Sequence, residues 1–140
     1  MFKNLFVLNK LLTISDGLVY RIMKVLHIDD NQDITNLFSE YLSGRGIDVE
    51  TTNDPKEGLE RIKKENFDVV LLDNHMPGFW GTDIIQTLED EKILKEQKII
   101  IFSGADFTSS QINYLLKKDG IKDLLKKPVH LDDLFMAITR

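Results

Sequence analysis

Cysteine is absent from the 140 residues, which excludes a disulfide framework and a thiolate metal site. Proline is scarce, with 3 residues, and no apolar run approaches the roughly 20 residues that a membrane-spanning helix needs. The net charge is -5 with acids and bases interspersed, which argues against the clustered Lys and Arg of a nucleic-acid-binding surface. We therefore expect a cytoplasmic protein that binds neither nucleic acid nor membrane.

Apolar residues make up 42% of the chain, enough for the core of one domain of ordinary size. From Met23 onward, short β-type runs alternate with segments whose apolar residues recur at helical spacing. The predicted strands are Lys24–Ile28, Asp48–Thr52, Asp68–Asp73, Lys98–Ser103 and Lys122–Lys127. The third predicted helix runs from Asp83 to about Leu94, and the fourth has an apolar face formed by Ile112, Leu115 and Leu116. Five such alternations predict an α/β fold, a doubly wound (βα)5 domain with five parallel strands and helices on both faces.

Residues 1–22 precede this alternation and form an N-terminal extension to a domain at 23–140. Met23 stands directly before the first strand, so we favour a mis-called start, with the true chain beginning there. The alternative is a real amphipathic extension, since Leu5, Leu8 and Leu12 fall on one helical face.

Chemically useful side chains stand where the predicted strands end. Asp29 and Asp30 follow the first strand, while Asp73 and Ser103 end the third and fourth. Lys127 ends the fifth, just before a proline. In an open doubly wound sheet the carboxyl ends of the strands form the ligand-binding edge, so these side chains should converge.

Three clustered carboxylates repel one another, and a hard divalent cation with oxygen ligands resolves that conflict. We therefore predict a Mg²⁺ site. A lysine beside it makes the site compatible with a phosphoryl group, whose transfer depends mostly on positioning and charge neutralisation. An aspartate carboxylate can itself be the nucleophile of such a transfer.

The chain from Met23 to Arg140 resembles the receiver domain of two-component response regulators, in the stand-alone, chemotaxis-regulator-like form. The resemblance rests on four motifs in the right order and spacing: HIDDNQD, LLDNHMPGFWG, IIIFSGA and DLLKKP. It implies a flavodoxin-like three-layer sandwich with strand order 2-1-3-4-5.

The resemblance also implies a role for each site residue. Asp73 would accept a phosphoryl group from a sensor histidine kinase or a histidine phosphotransfer protein. Asp30, Asp73 and the backbone carbonyl of His75 would bind Mg²⁺ directly, and Asp29 would hold it through water. Lys127, with a cis bond to Pro128, would contact the phosphoryl oxygens, and Ser103 would hydrogen-bond the phosphoryl group as the switch.

Three positions depart from the family pattern. The aromatic residue that usually stands three positions before the lysine, and takes part in the switch, is Leu124 here. Phe79 and Trp80 replace the Met-Asp often found before Gly81. They pack over their own loop, which we favour, or else cap the site or contact a partner. By the same resemblance, His75 and Ala105 occupy the two positions that tune dephosphorylation, and together they would set how long the domain stays phosphorylated.

The implied function is a phosphorylated signalling domain and not an enzyme. The last predicted helix closes at Arg140, and no output domain follows it in the sequence. We therefore expect the domain to act on an unidentified protein by contact or to pass the phosphoryl group on. One alternative is a pseudo-receiver, an interaction module that phosphorylation does not switch. Another is a haloacid-dehalogenase-type phosphatase, which needs a second aspartate at the position of His75.

Overall fold

The computed structural model describes residues 19–140 together with 6–8 and 11–13; up to residue 20 the description covers the backbone alone. The strands are β1 Phe6–Leu8, β2 Leu11–Thr13, β3 Val19–Arg21, β4 Lys24–Ile28, β5 Asp48–Thr52, β6 Val69–Asp73, β7 Ile99–Ser103 and β8 Ile121–Lys126. The helices are α1 Gln32–Ser43, α2 Pro55–Lys64, α3 Gly81–Asp90, α4 Ser109–Leu116 and α5 Leu131–Thr139, with a 3₁₀ turn at Leu94–Glu96.

Strands β4 to β8 form a parallel sheet in the order β5-β4-β6-β7-β8. Counted along the sheet's own strands this is 2-1-3-4-5, so the predicted fold class and strand order are confirmed. The order reverses at β4, and the carboxyl ends of β4 and β6 lie side by side at that point. This is where ligands bind in doubly wound sheets.

The core has two parts, one on each face of the sheet. On one face, α1 and α5 contribute Phe38, Leu42, Leu134 and Ile138. On the other face lie the apolar side chains of α2, α3 and α4. Strands β6 and β7 are buried along their whole length, as expected where helices cover both faces.

Local sequence signals account for several helix starts. Asp54 is the N-cap of α2, accepting the Lys56 N–H, and Pro55 opens that helix. Asn31 caps α1 in the same way, accepting from Asp33 N–H and Ile34 N–H.

Three sequence predictions need correction. The third helix was expected from Asp83 to about Leu94, but it begins at Gly81 and ends at Asp90, because Lys92 has a positive φ of 61°. Leu116 was expected to face inward on α4, yet it is 43% exposed. Strand β8 ends at Lys126, so Lys127 lies just beyond it.

The N-terminal segments β1, β2 and β3 form a separate antiparallel sheet. Leu8 and Leu12 lie in strands, so the helical interpretation of the extension is wrong for them; Leu5 lies outside the described residues. A start at Met23 stays a prediction. Arg21 forms an ion pair with Asp68, whose other carboxylate oxygen accepts the Lys24 N–H at 2.7 Å.

None of the described helices combines the length and the apolar character that crossing a bilayer would require.

Candidate functional site

Three acids lie together at the carboxyl edge of the parallel sheet. Asp29 follows β4 directly, Asp30 comes next, and Asp73 is the last residue of β6. One carboxylate oxygen from each lies within 4.8 Å of the other two. Asp29 and Asp73 are 2% exposed, whereas Asp30 is open to solvent. Such an oxygen-only, partly open cluster fits a hard divalent cation like Mg²⁺.

Burial makes the two inner acids harder to ionise. The pKa of Asp29 is raised to about 6, first by burial and further by the nearby Asp73, while the Asn31 N–H bond opposes the rise. The pKa of Asp73 is also raised by burial, against the opposing effect of Lys127. A cation in the cluster would relieve both costs, because it favours the charged carboxylates.

Lys127 brings the positive charge to the cluster. Its Nζ lies 2.5 Å from Asp73 Oδ1, and its side chain remains 39% exposed. Its backbone N–H donates to the Ser103 carbonyl at 2.7 Å. The Lys127–Pro128 bond is cis, as the resemblance implied. The lysine is thus held beside the Asp73 carboxylate while part of its side chain stays open to solvent.

Ser103 ends β7, one strand away from Asp73 in the sheet. The side chain is buried, and its Oγ has no hydrogen-bond partner among the described residues. Leaving a buried hydroxyl unpaired costs about 1–3 kcal/mol. Ser103 is not among the described residues that line the groove beside Asp73. The Ser103 hydroxyl can therefore donate a hydrogen bond that no described residue accepts.

An open groove of about 710 Å³ borders Asp73. Its polar wall holds the three acids and Lys127, and its apolar wall holds side chains of α1 and of the segment after β8. Exposed His75 also lines this groove, with its ring 4.9 Å from that of Trp80 in an edge-on contact. Phe79 packs against the core, whereas Trp80 is 39% exposed, so the two neighbouring aromatic residues lie in different environments.

Two further residues fix the loop after Asp73, and sequence reasoning gave them no role. Buried Asn74 donates from Nδ2 to Asp106 at 2.6 Å and accepts the Thr82 N–H through Oδ1. Gly81 lies so close that a Cβ there would be 2.7 Å from the Asp73 carbonyl oxygen. The Asp-Asn pair in the motif was the available signal for Asn74, but nothing in the sequence connects it to Asp106.

Leu124 is half-buried and packs against the core face that α2, α3 and α4 cover. In the sheet it pairs with Ile101 of β7. An aliphatic side chain at this position can pack but cannot donate a hydrogen bond.

The family model for the response regulator receiver domain matches residues 25–139, and the chain belongs to this family. Together with the sheet order, this defines the molecule as a receiver domain.

Individual relatives agree. The cell cycle transcriptional regulator CtrA of Caulobacter vibrioides is 33% identical over 118 residues, covering 83% of this chain and 48% of that protein. This chain therefore spans about half the length of that relative. The receiver domain of Francisella response regulator 1452 is 32% identical, with a TM-score of 0.72 over 83% of this chain and 93% of that one. Chemotaxis protein CheY4 of Vibrio cholerae is 26% identical, with a TM-score of 0.73 over 85% and 98%.

Proposed function

We propose that this receiver domain is phosphorylated on Asp73 in a Mg²⁺-dependent phosphorelay of a two-component system. The observation that carries the proposal is the setting of Asp73. It is a buried carboxylate at the end of β6, 2.5 Å from Lys127 Nζ and clustered with Asp29 and Asp30. A structural ion pair would need only one acid beside the lysine.

In the proposed reaction an Asp73 carboxylate oxygen attacks the phosphorus of a phosphohistidine on a partner protein. The new P–O bond forms as the P–N bond breaks, and the histidine nitrogen takes the electron pair. Lys127 faces the phosphoryl oxygens, and the Ser103 hydroxyl donates to one of them. Asp29, Asp30, Asp73 and the His75 carbonyl would hold Mg²⁺, which supplies charge neutralisation when bound.

The apolar lining of the groove favours a protein, rather than a small molecule, as the phosphoryl donor. Ile34 and Leu37 of α1 line it together with Val129, and Leu37 is 47% exposed. An apolar rim beside a charged centre suits a sensor histidine kinase or a histidine phosphotransfer protein, which would bury the rim on docking. The phosphorylated domain would then signal to a downstream protein by contact or pass the phosphoryl group on.

Acyl-phosphate formation tests the proposal. Wild-type protein with Mg²⁺ and acetyl phosphate should gain one phosphoryl group by mass spectrometry, and beryllofluoride should change the emission of Trp80. Asp73→Asn should show neither response, because the nucleophile is gone. Asp119→Asn, which alters an exposed aspartate after α4, is the matched control and should behave as wild type.

A wild type that forms no acyl phosphate and gives no response to beryllofluoride would support the pseudo-receiver instead. Sustained turnover of phosphate esters would support a phosphatase.

A further inference from the structure

His27 is a fully buried histidine in the middle of the sheet, on β4. Its ring stacks on Phe38 at 5.0 Å and meets the Phe102 ring edge-on at 5.8 Å. Neither ring nitrogen has a hydrogen-bond partner among the described residues. Packing against the two phenylalanine rings accounts for the position of the imidazole ring but not for its two nitrogen atoms.

An aromatic stack alone does not require an imidazole. Phenylalanine would offer the same flat ring without two nitrogen atoms to desolvate, and each unpaired buried polar group costs about 1–3 kcal/mol. Buried polar groups are paired in the great majority of cases. A buried His27 therefore calls for a partner in some state of the protein.

The acid cluster offers that partner. His27 Nε2 lies 3.9 Å from Asp29 Oδ2, about 1 Å beyond N–H···O hydrogen-bond length. The other oxygen of this carboxylate, Oδ1, already accepts the Asn31 N–H at 2.9 Å. A bond from His27 would fix the second oxygen and with it the orientation of the whole carboxylate.

We propose that His27 is a positioning residue for the metal site: its Nε2–H donates to Asp29 Oδ2 and orients this carboxylate toward the cation. The inference rests on the proposed function, because that function supplies the cation. A neutral imidazole carries one proton, and with that proton on Nε2 the ring can donate to the carboxylate that lies 3.9 Å away. Donors behind a metal ligand hold the ligand in its binding orientation.

Amide substitutions test which nitrogen acts. In His27→Gln the side-chain nitrogen reaches the place of Nε2, in His27→Asn it reaches the place of Nδ1, and His27→Leu removes both. We expect His27→Leu and His27→Asn to weaken Mg²⁺ binding about 10-fold or more, and His27→Gln to stay near wild type. Binding is measured with Mg²⁺ alone, through Trp80 emission and through the rise in Tm that Mg²⁺ produces.

A purely structural role would weaken all three variants alike or leave Mg²⁺ binding unchanged in all, and either result overturns the inference. Unfolding in EDTA shows whether each variant folds. Histidine labelled with ¹⁵N provides a measurement on wild type alone. The Nε2–H signal of His27 should be present and should shift when Mg²⁺ is added, and a proton on Nδ1 overturns the inference. A wild type that does not bind Mg²⁺ at all would refute the proposed function as well.

Discussion

The two ends of the parallel sheet both carry clusters of acidic and basic side chains, but the charges cancel at one end only. At the amino end, Lys24 and Arg61 pair with Glu50 and Glu65, two cations with two anions. At the carboxyl end, the three clustered acids face Lys127. The first group is balanced within the chain, whereas the second leaves a negative excess.

The pKa values follow this difference. At the amino end, the hydrogen bond from Arg61 lowers the pKa of Glu65 to about 2, and Lys24 lowers that of Glu50. At the carboxyl end, burial raises the pKa of Asp29 and of Asp73. Charged acids therefore stabilise the fold at one end and oppose it at the other. An added cation would relieve this cost at the carboxyl end, which supports the metal site proposed there.

Removing Lys127 should have the largest effect. In Lys127→Ala the phosphoryl oxygens lose their cation, and the rate of phosphorylation by acetyl phosphate should fall about 10²- to 10³-fold, as for loss of one oxyanion donor. The measurement is the time course of acyl-phosphate formation by mass. Lys126→Ala is the matched control, because Lys126 is the exposed neighbour at the end of β8. Equal rates for the two variants would refute the role of Lys127.

Removing the charge of Asp29 should stabilise the protein in EDTA. The pKa of this acid is about 6 in the folded state against 3.8 in the unfolded chain, so the fold retains its proton more tightly. The bound proton of Asp29 therefore adds to the free energy of unfolding. This addition is complete below about pH 4 and is lost as the pH rises through about 6. At about 1.4 kcal/mol per pH unit, Asp29→Asn should therefore gain up to about 3 kcal/mol at pH 7.5 and nothing at pH 3.5.

Urea unfolding across this pH range measures the gain of Asp29→Asn. The control Asp33→Asn removes an exposed charge from α1 and should leave the pH dependence unchanged. An Asp29→Asn protein that is less stable than wild type at pH 7.5 in EDTA would show that the charge of Asp29 does not destabilise the fold.

Breaking the balance at the amino end should have a smaller effect. Arg61→Met leaves Glu50 without one of its two cations and should cost about 1 kcal/mol at pH 7, since the pairs are partly exposed. The phosphorylation rate should not change. Chemical unfolding measures the loss, with Lys64→Met as the control because Lys64 is 76% exposed on the same helix. A change in phosphorylation rate would show that the two ends are coupled.

Sequence alone predicted the sheet because its signals are local. Strands β4 and β5 were predicted to the residue, since apolar alternation and turn residues bound them. The exposure of Leu116 was missed because periodicity shows an apolar residue but not which neighbour covers it. The N-terminal strands were missed because short apolar runs fit helix and strand patterns equally well.

The acid cluster followed from topology, since parallel strand ends meet at one edge. Contacts between distant loops did not follow in that way. The bond from Asn74 to Asp106 joins residues 32 positions apart, and no spacing rule connects them. The unpaired nitrogens of His27 depend on the packing of Phe38 and Phe102, which the sequence pattern does not specify.

The Asp68 contact with Arg21 has a practical consequence for handling the protein. Asp68 stands at the amino end of β6 and Asp73 at its carboxyl end, about 16 Å apart at the usual rise of a strand. A surface tether or dye attached close to Arg21 would therefore sit at the far end of the sheet from Asp73. Immobilisation through that end should leave the groove facing outward, ready to capture partners from solution.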